Sequence, residues 1–153
     1  MGFEKIRKPL VSPMGFSFTP KTVVVTSAQL LAAFGTPVTI LAAPKTGYAN
    51  VFLGAMIHKP AGTAYNLTTA TGLSVKYTNA AGLEVSQAAI TGFLDQTTVQ
   101  SRWLKPHTAA SGANTTLIVA AAPLVLNMLT ADITTGTGGL RVKVAYTVVP
   151  MVP

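Results

Sequence analysis

Alternation with a period of two dominates the chain, and its clearest instance is the last complete run. Leu140, Val142, Val144, Tyr146 and Val148 fall on one face, and Arg141, Lys143, Ala145 and Thr147 on the other. Successive side chains of a strand point to opposite faces, so this spelling predicts one buried face and one wet or contact-making face. Leu124, Leu126 and Met128 supply a matching apolar set. Between them, Gly136, Gly138 and Gly139 offer the positive φ that a reversal needs, so residues 123–149 read as a two-stranded ribbon joined by a wide turn. A lone hairpin is marginal in water, so the ribbon requires a sheet to lie on.

The rest of the chain predicts one. Val23–Val25 reads as a short strand. Thr26 with Gln29 three residues later fits a capping box, opening a short helix whose Leu30, Leu31 and Phe34 share a face and which Gly35 ends. Thr36–Ala43 reads as a strand with Val38, Ile40 and Ala42 on one side, and Pro44–Gly47 as a turn. Tyr48–Lys59 is apolar on both faces, Val51, Leu53 and Ile57 against Phe52 and Met56, which predicts a strand covered twice or used in assembly. Gly54 within it marks a bulge. Leu73, Val75 and Tyr77 alternate with Ser74, Lys76 and Thr78. Asn79–Gly82 then turns the chain back into Leu83–Ser86, a hairpin. Residues 88–95 fit either a short strand or a turn of helix. In Val99–Lys105, Val99, Ser101 and Trp103 oppose Gln100, Arg102 and Leu104, and Trp103 is expected in the core. Leu117–Ala120 reads as a buried strand.

These add up to eight or nine short strands and one short helix with no strand–helix–strand rhythm. The pattern predicts an all-β fold, an antiparallel β-sandwich or jelly roll. Residues 1–22, broken by Pro9, Pro13 and Pro20, read as an extended N-terminal arm, residues 23–150 as the sandwich domain and residues 151–153 as an apolar C-terminal tail. Phe3, Phe16 and Phe18 are too apolar for a solvated tail. With Lys5, Arg7 and Lys8 they make the arm a candidate assembly element, the phenylalanines as anchors and the cations against an acidic surface. A fraying terminus is the alternative.

Composition adds an argument about surroundings. Only 10% of the 153 residues are charged while 49% are hydrophobic, against about 25% charged in a typical soluble domain. A surface of Thr, Ala, Ser, Asn and Gly suits a subunit whose faces neighbours cover better than a free monomer. The net charge of +7, from eleven Lys and Arg against Glu4, Glu84, Asp95 and Asp132, is compatible with nucleic acid or another anionic partner. Outside Lys5, Arg7 and Lys8 the cations are spread thinly, without the aromatic interleaving of a nucleic-acid stripe. With no cysteine there is no disulfide framework or thiolate site. The charge-free stretches 22–44 and 106–131 are interrupted by Gln29, Gly35 and Pro37, and by Ser111, Asn114, Pro123 and Asn127, so neither predicts a membrane span. No signal-peptide core precedes Pro9 and Pro13.

Catalytic signatures are sparse. His58 and His107 are the two histidines, far apart in sequence, with no Gly-x-Ser-x-Gly elbow and no metal-ligand spacing. The four acids are isolated from one another. Gly136–Gly139 leads into a strand rather than a helix and so does not spell a phosphate loop. The reading is of no enzyme, no metal and no cofactor. A small hydrolase would require His58 or His107 beside an acid and a serine.

Several phrases together resemble a known group of proteins. These are Thr26–Leu31 running into Thr36–Pro44, Ala89–Thr97 followed by Arg102–Pro106, and Pro123–Leu126 closing on Thr135–Tyr146. Over residues 22–149 the chain resembles small virion structural proteins of tailed bacteriophages, the capsid decoration or cement proteins. The resemblance implies a β-sandwich made in the bacterial host cytoplasm that sits on the capsid exterior, often as a trimer. It would bind the major capsid protein, bridge capsomers and make no functional contact with nucleic acid or membrane. The alternative is a jelly-roll module of a head fibre or tail that binds host glycan, with Trp103, Tyr65 and Tyr48 as the aromatic candidates.

Overall fold

The computed structural model describes residues 10–11, 17–106 and 118–151. Among the described residues nine strands form: β1 (Leu10–Val11), β2 (Ser17–Val25), β3 (Val38–Leu41), β4 (Tyr48–Lys59), β5 (Gly72–Tyr77), β6 (Glu84–Ala89), β7 (Gln100–Leu104), β8 (Leu124–Leu129) and β9 (Leu140–Pro150), with one helix, α1 (Ser27–Leu31). They build two antiparallel sheets, ordered β1-β2-β9-β4-β7 and β3-β8-β5-β6. The fold is therefore all-β, a sandwich with one short helix among the described residues.

The pairing is nested. β5 pairs with β6, β4 with β7, β3 with β8 and β2 with β9, all antiparallel. The β5–β6 hairpin expected from its turn signals is the innermost pair. The apolar faces of both sheets meet in one core: Val142, Val144, Ile57 and Leu104 from one sheet, Ile40, Leu73, Val75, Leu124, Leu126 and Met128 from the other. Each such side chain contributes about 1.5–3 kcal/mol relative to exposure, before conformational entropy is subtracted.

Helix α1 forms as its capping box dictates. The Thr26 hydroxyl accepts from the Gln29 amide at 3.2 Å, and the Gln29 side chain accepts from the Thr26 amide at 2.9 Å. Its buried contacts are Leu30 and, in the turn beyond it, Ala33. Phe34 is exposed rather than part of the apolar stripe, because α1 ends at Leu31 with Ala32 as its cap, short of the Gly35 expected to end it. Phe34 thus falls beyond the helix, its amide donating to Asp132 Oδ1 at 2.9 Å.

Several expectations are corrected. β8 and β9 are not a hairpin: they lie in different sheets, so Leu124, Leu126 and Met128 meet Leu140, Val142 and Val144 across the core instead of side by side. The glycine-rich segment between them is a crossover, with Gly136 at φ 87° and Gly138 at φ 81°. Val119 and Ala120 lie outside any strand, and Ala120 makes only an isolated bridge to Ala49. β2 begins at Ser17 and pairs with β9 from Thr19 onward, so strand structure reaches into the segment read as arm. Phe3, Lys5, Arg7, Lys8 and Phe16 lie outside the described residues, as does His107. Phe18 is described only as a backbone position of β2, opposite Leu10.

Gly54 does sit at a bulge. The β4–β9 register shifts between Phe52 and Gly54, with Gly54 at φ 139°. One extra residue exchanges the two faces of the strand downstream. Phe52, Ala55 and Ile57 therefore share the core, in place of the expected Val51, Leu53 and Ile57 set, and Met56 and His58 face outward.

Candidate functional site

The outer face of the β2-β9-β4-β7 sheet follows from that bulge and from the register. Cross-strand partners define two rows. One runs Val24, Arg141, His58, Ser101, and the next runs Thr22, Lys143, Met56, Trp103. Rows two residues apart along a strand are spaced by about 6.6–6.8 Å, and the four strands span roughly 14 Å. Three large apolar side chains stand open here: Val24 at 64%, Trp103 at 49% and Met56 at 40% exposure. Arg141 and Lys143 stand exposed between them.

Trp103 is on this face because its neighbours in β7 are engaged on the opposite one. Leu104 is fully buried opposite Ala55. Arg102 donates from Nη2 to the Thr91 carbonyl at 2.9 Å and lies 5.7 Å from the centre of the Phe93 ring. The indole then lies over Gly54, where a Cβ would come within 2.9 Å of Trp103 Cζ2. A missing side chain in β4 thus leaves room for the ring against the sheet, and the core position expected for Trp103 is corrected to a surface one.

Of the other aromatic candidates, Tyr65 is buried and donates its hydroxyl to the Gly138 carbonyl at 2.7 Å. Tyr48 is half-buried, with the Lys45 ammonium 4.4 Å from its ring centre. Neither belongs to the face with Trp103.

His58 shares a hydrogen bond of 3.1 Å with Ser101 on the same face. The acids that could orient such a pair are engaged elsewhere: Asp132 accepts from the Phe34 amide, and Asp95 from Gln96 Nε2 at 3.1 Å. Burial pushes the Asp95 carboxyl upward, but hydrogen bonds from the Gln96 side chain and from backbone amides, Gly92 and Phe93 among them, hold it below the usual carboxylate range. Among the described residues no group of three or more His, Asp or Glu is placed to hold a metal ion. No described helix is long and apolar enough to cross a membrane.

A hollow of about 560 Å³ lies beside α1 and β3, lined by Ala28, Gln29, Ala32, Thr36, Pro37, Val38 and Thr39. No titratable side chain lines it, so it offers no acid–base chemistry. Lys59 is the unusual ionisable group. Its side chain is fully buried, its ammonium donates to the carbonyls of Gln96 at 2.7 Å and Pro60 at 3.3 Å, and burial lowers its pKa. It clamps the end of β4 to the loop before β7 and does not reach the outer face.

The sequence spells out the cations of the face, since Arg141 and Lys143 alternate with buried residues in β9. It does not reveal that Met56 and Trp103 share their row, which depends on the bulge and on strand pairing. No family model matches the chain, and no curated protein or solved structure matches it.

Proposed function

We propose that this chain is a non-enzymatic virion structural protein of a tailed bacteriophage, a capsid decoration or cement subunit. It acts as a homo-oligomer, a trimer, bound to the major capsid protein on the head exterior, where it bridges capsomers. The observation that carries the reading is the outer face of β2-β9-β4-β7, where Val24, Met56 and Trp103 stand exposed together in a chain with few charges. Large apolar side chains exposed on one sheet face, Val24 on one side of Arg141 and Lys143 and Met56 beside Trp103 on the other, favour a protein contact. A tryptophan and a methionine side by side, as Trp103 and Met56 are here, are residue types enriched in such interfaces. Standard interfaces bury about 1,200–2,000 Å² in total, and repetition of one modest contact over a lattice multiplies its effect.

The nested strand pairing supports the finer reading of the sandwich as a jelly roll, the order obtained by folding one long antiparallel ribbon over on itself. An electron-microscopy map of particles made from the genome that carries this sequence tests the proposal. Density for the sandwich seated on the outside of the head is expected, and its absence from the head refutes the reading. The Trp103 ring, open on one side and backed by Gly54, also favours a second reading, a fibre or tail module that stacks host glycan. Glycan-array binding lost on Trp103→Ala supports that one.

A further inference from the structure

We infer that the outer face of β2-β9-β4-β7 recognises an acidic protein surface, with Arg141 and Lys143 pairing with carboxylates between Val24 on one side and a Met56–Trp103 apolar pair on the other. The inference rests on the decoration reading for the identity of the partner, but its chemistry comes from the face itself.

Arg141 and Lys143 are two residues apart on one strand and point the same way, so their heads are presented at roughly the 6.6–6.8 Å strand repeat. Carboxylates at alternate positions of a partner strand, or three or four apart on a helix, have a comparable spacing. Neither row contains an acid: the positions are Val24, Arg141, His58, Ser101 and Thr22, Lys143, Met56, Trp103. The two cations are therefore not neutralised by their row neighbours. They are flanked on either side by apolar groups, Val24 on one edge and Met56 with Trp103 on the other. A partner covering those groups also dries the cations and strengthens any pairing with them.

Nucleic acid is the rival polyanion. A binding track for it calls for a longer run of cations and several stacking rings. Here one ring stands beside two cations, and Met56 and Val24 have no base-stacking role. The chemistry favours protein carboxylates.

Trp103 is the chain's single tryptophan, so its emission reports directly on the face. The full-length protein is titrated with poly-L-glutamate, and separately with single-stranded oligothymidylate of matched charge. A blue shift of the emission with polyglutamate, weakened on raising salt from about 0.05 to about 0.5 M, is expected. Arg141→Glu and Lys143→Glu should each weaken it by roughly tenfold or more, and Lys45→Glu, an equal change of charge away from the face, by less than about twofold. Oligothymidylate binding as tightly as polyglutamate, or neither polymer moving the emission, overturns the inference.

The same three variants are then bound to isolated heads. If heads bind but Arg141→Glu behaves like Lys45→Glu, the carboxylate face is wrong while the decoration reading stands. If the face binds polyglutamate and heads do not bind, the decoration reading fails alone.

Discussion

Gly54→Ala tests the link between the β4 bulge and the outer face. At φ 139° the backbone occupies a region that L side chains rarely adopt, and the new Cβ would approach Trp103 Cζ2 to 2.9 Å and the Leu104 carbonyl oxygen to 3.3 Å. Backbone strain of this kind costs about 1–3 kcal/mol. The contact with the indole is with a side chain that has room to tilt outward, so it adds about 1 kcal/mol or less. With an unfolding entropy of about 2.1 cal/mol/K per residue, 1 kcal/mol corresponds to about 3 °C in a chain of this length. Gly54→Ala is therefore expected to lower Tm by about 3–12 °C. Thermal unfolding followed by far-ultraviolet circular dichroism measures this, and Trp103 emission in the native protein reports the displaced ring. A cycle with Trp103→Ala separates the two causes, because removing the indole relieves the clash but not the backbone strain. A Tm within about 1 °C of the parent refutes the argument. So does a loss that vanishes in the Trp103→Ala background, since that would assign the whole cost to the ring.

Gly136→Ala places a Cβ within 2.5 Å of the buried Tyr65 ring at φ 87° and is expected to cost about 2–4 kcal/mol. Gly35→Ala, with nothing within 4 Å, should stay within about 1 kcal/mol of the parent; urea midpoints compare the two. Thr26→Ala removes the capping box of α1 and is expected to cost about 0.5–2 kcal/mol in the same assay. Lys59, whose pKa is lowered from 10.5 by burial, is neutral in the folded state over a range where the unfolded chain still binds the proton. Stability should therefore rise with pH from the folded pKa towards 10.5, an increment that Lys59→Met abolishes. Denaturation series kept below pH 10 read it, because above that Tyr65 and Tyr77, raised from 10.0 by burial, act in the opposite sense.

What the sequence discloses is mostly local. The alternation of β9 over Leu140–Val144, the capping box at Thr26 and Gln29, the β5–β6 turn and the bulge glycine at Gly54 are each written within a few residues, and each is found; Val148, expected on the buried face of β9, is instead exposed. Partnership is not written that way. β8 and β9 adjoin in sequence and match in pattern, yet an apolar face fits equally well against a facing sheet as beside a neighbour, so the ribbon reading failed. Trp103 illustrates the same limit. Period two divides β7 into two sets, but which set enters the core was decided by Leu104 opposite Ala55 and by the Thr91 carbonyl waiting for Arg102. The face was half legible for this reason: Arg141 and Lys143 were visible as an outward set, whereas Met56 and Trp103 joined them only through the bulge and the register.

The nested order also constrains how the chain is made. As synthesis proceeds from the N-terminus, β5 and β6 can zip at once, but β2 has no β9 to join until the far end of the domain has left the ribosome, since Val25 pairs with Leu140. The apolar stretch Val23–Val25 must wait unpaired through almost the whole of translation. Closure dominated by such distant pairings is slow, in the millisecond-to-second range for β-rich domains, so nascent copies are most exposed to mispairing just before their last strand emerges.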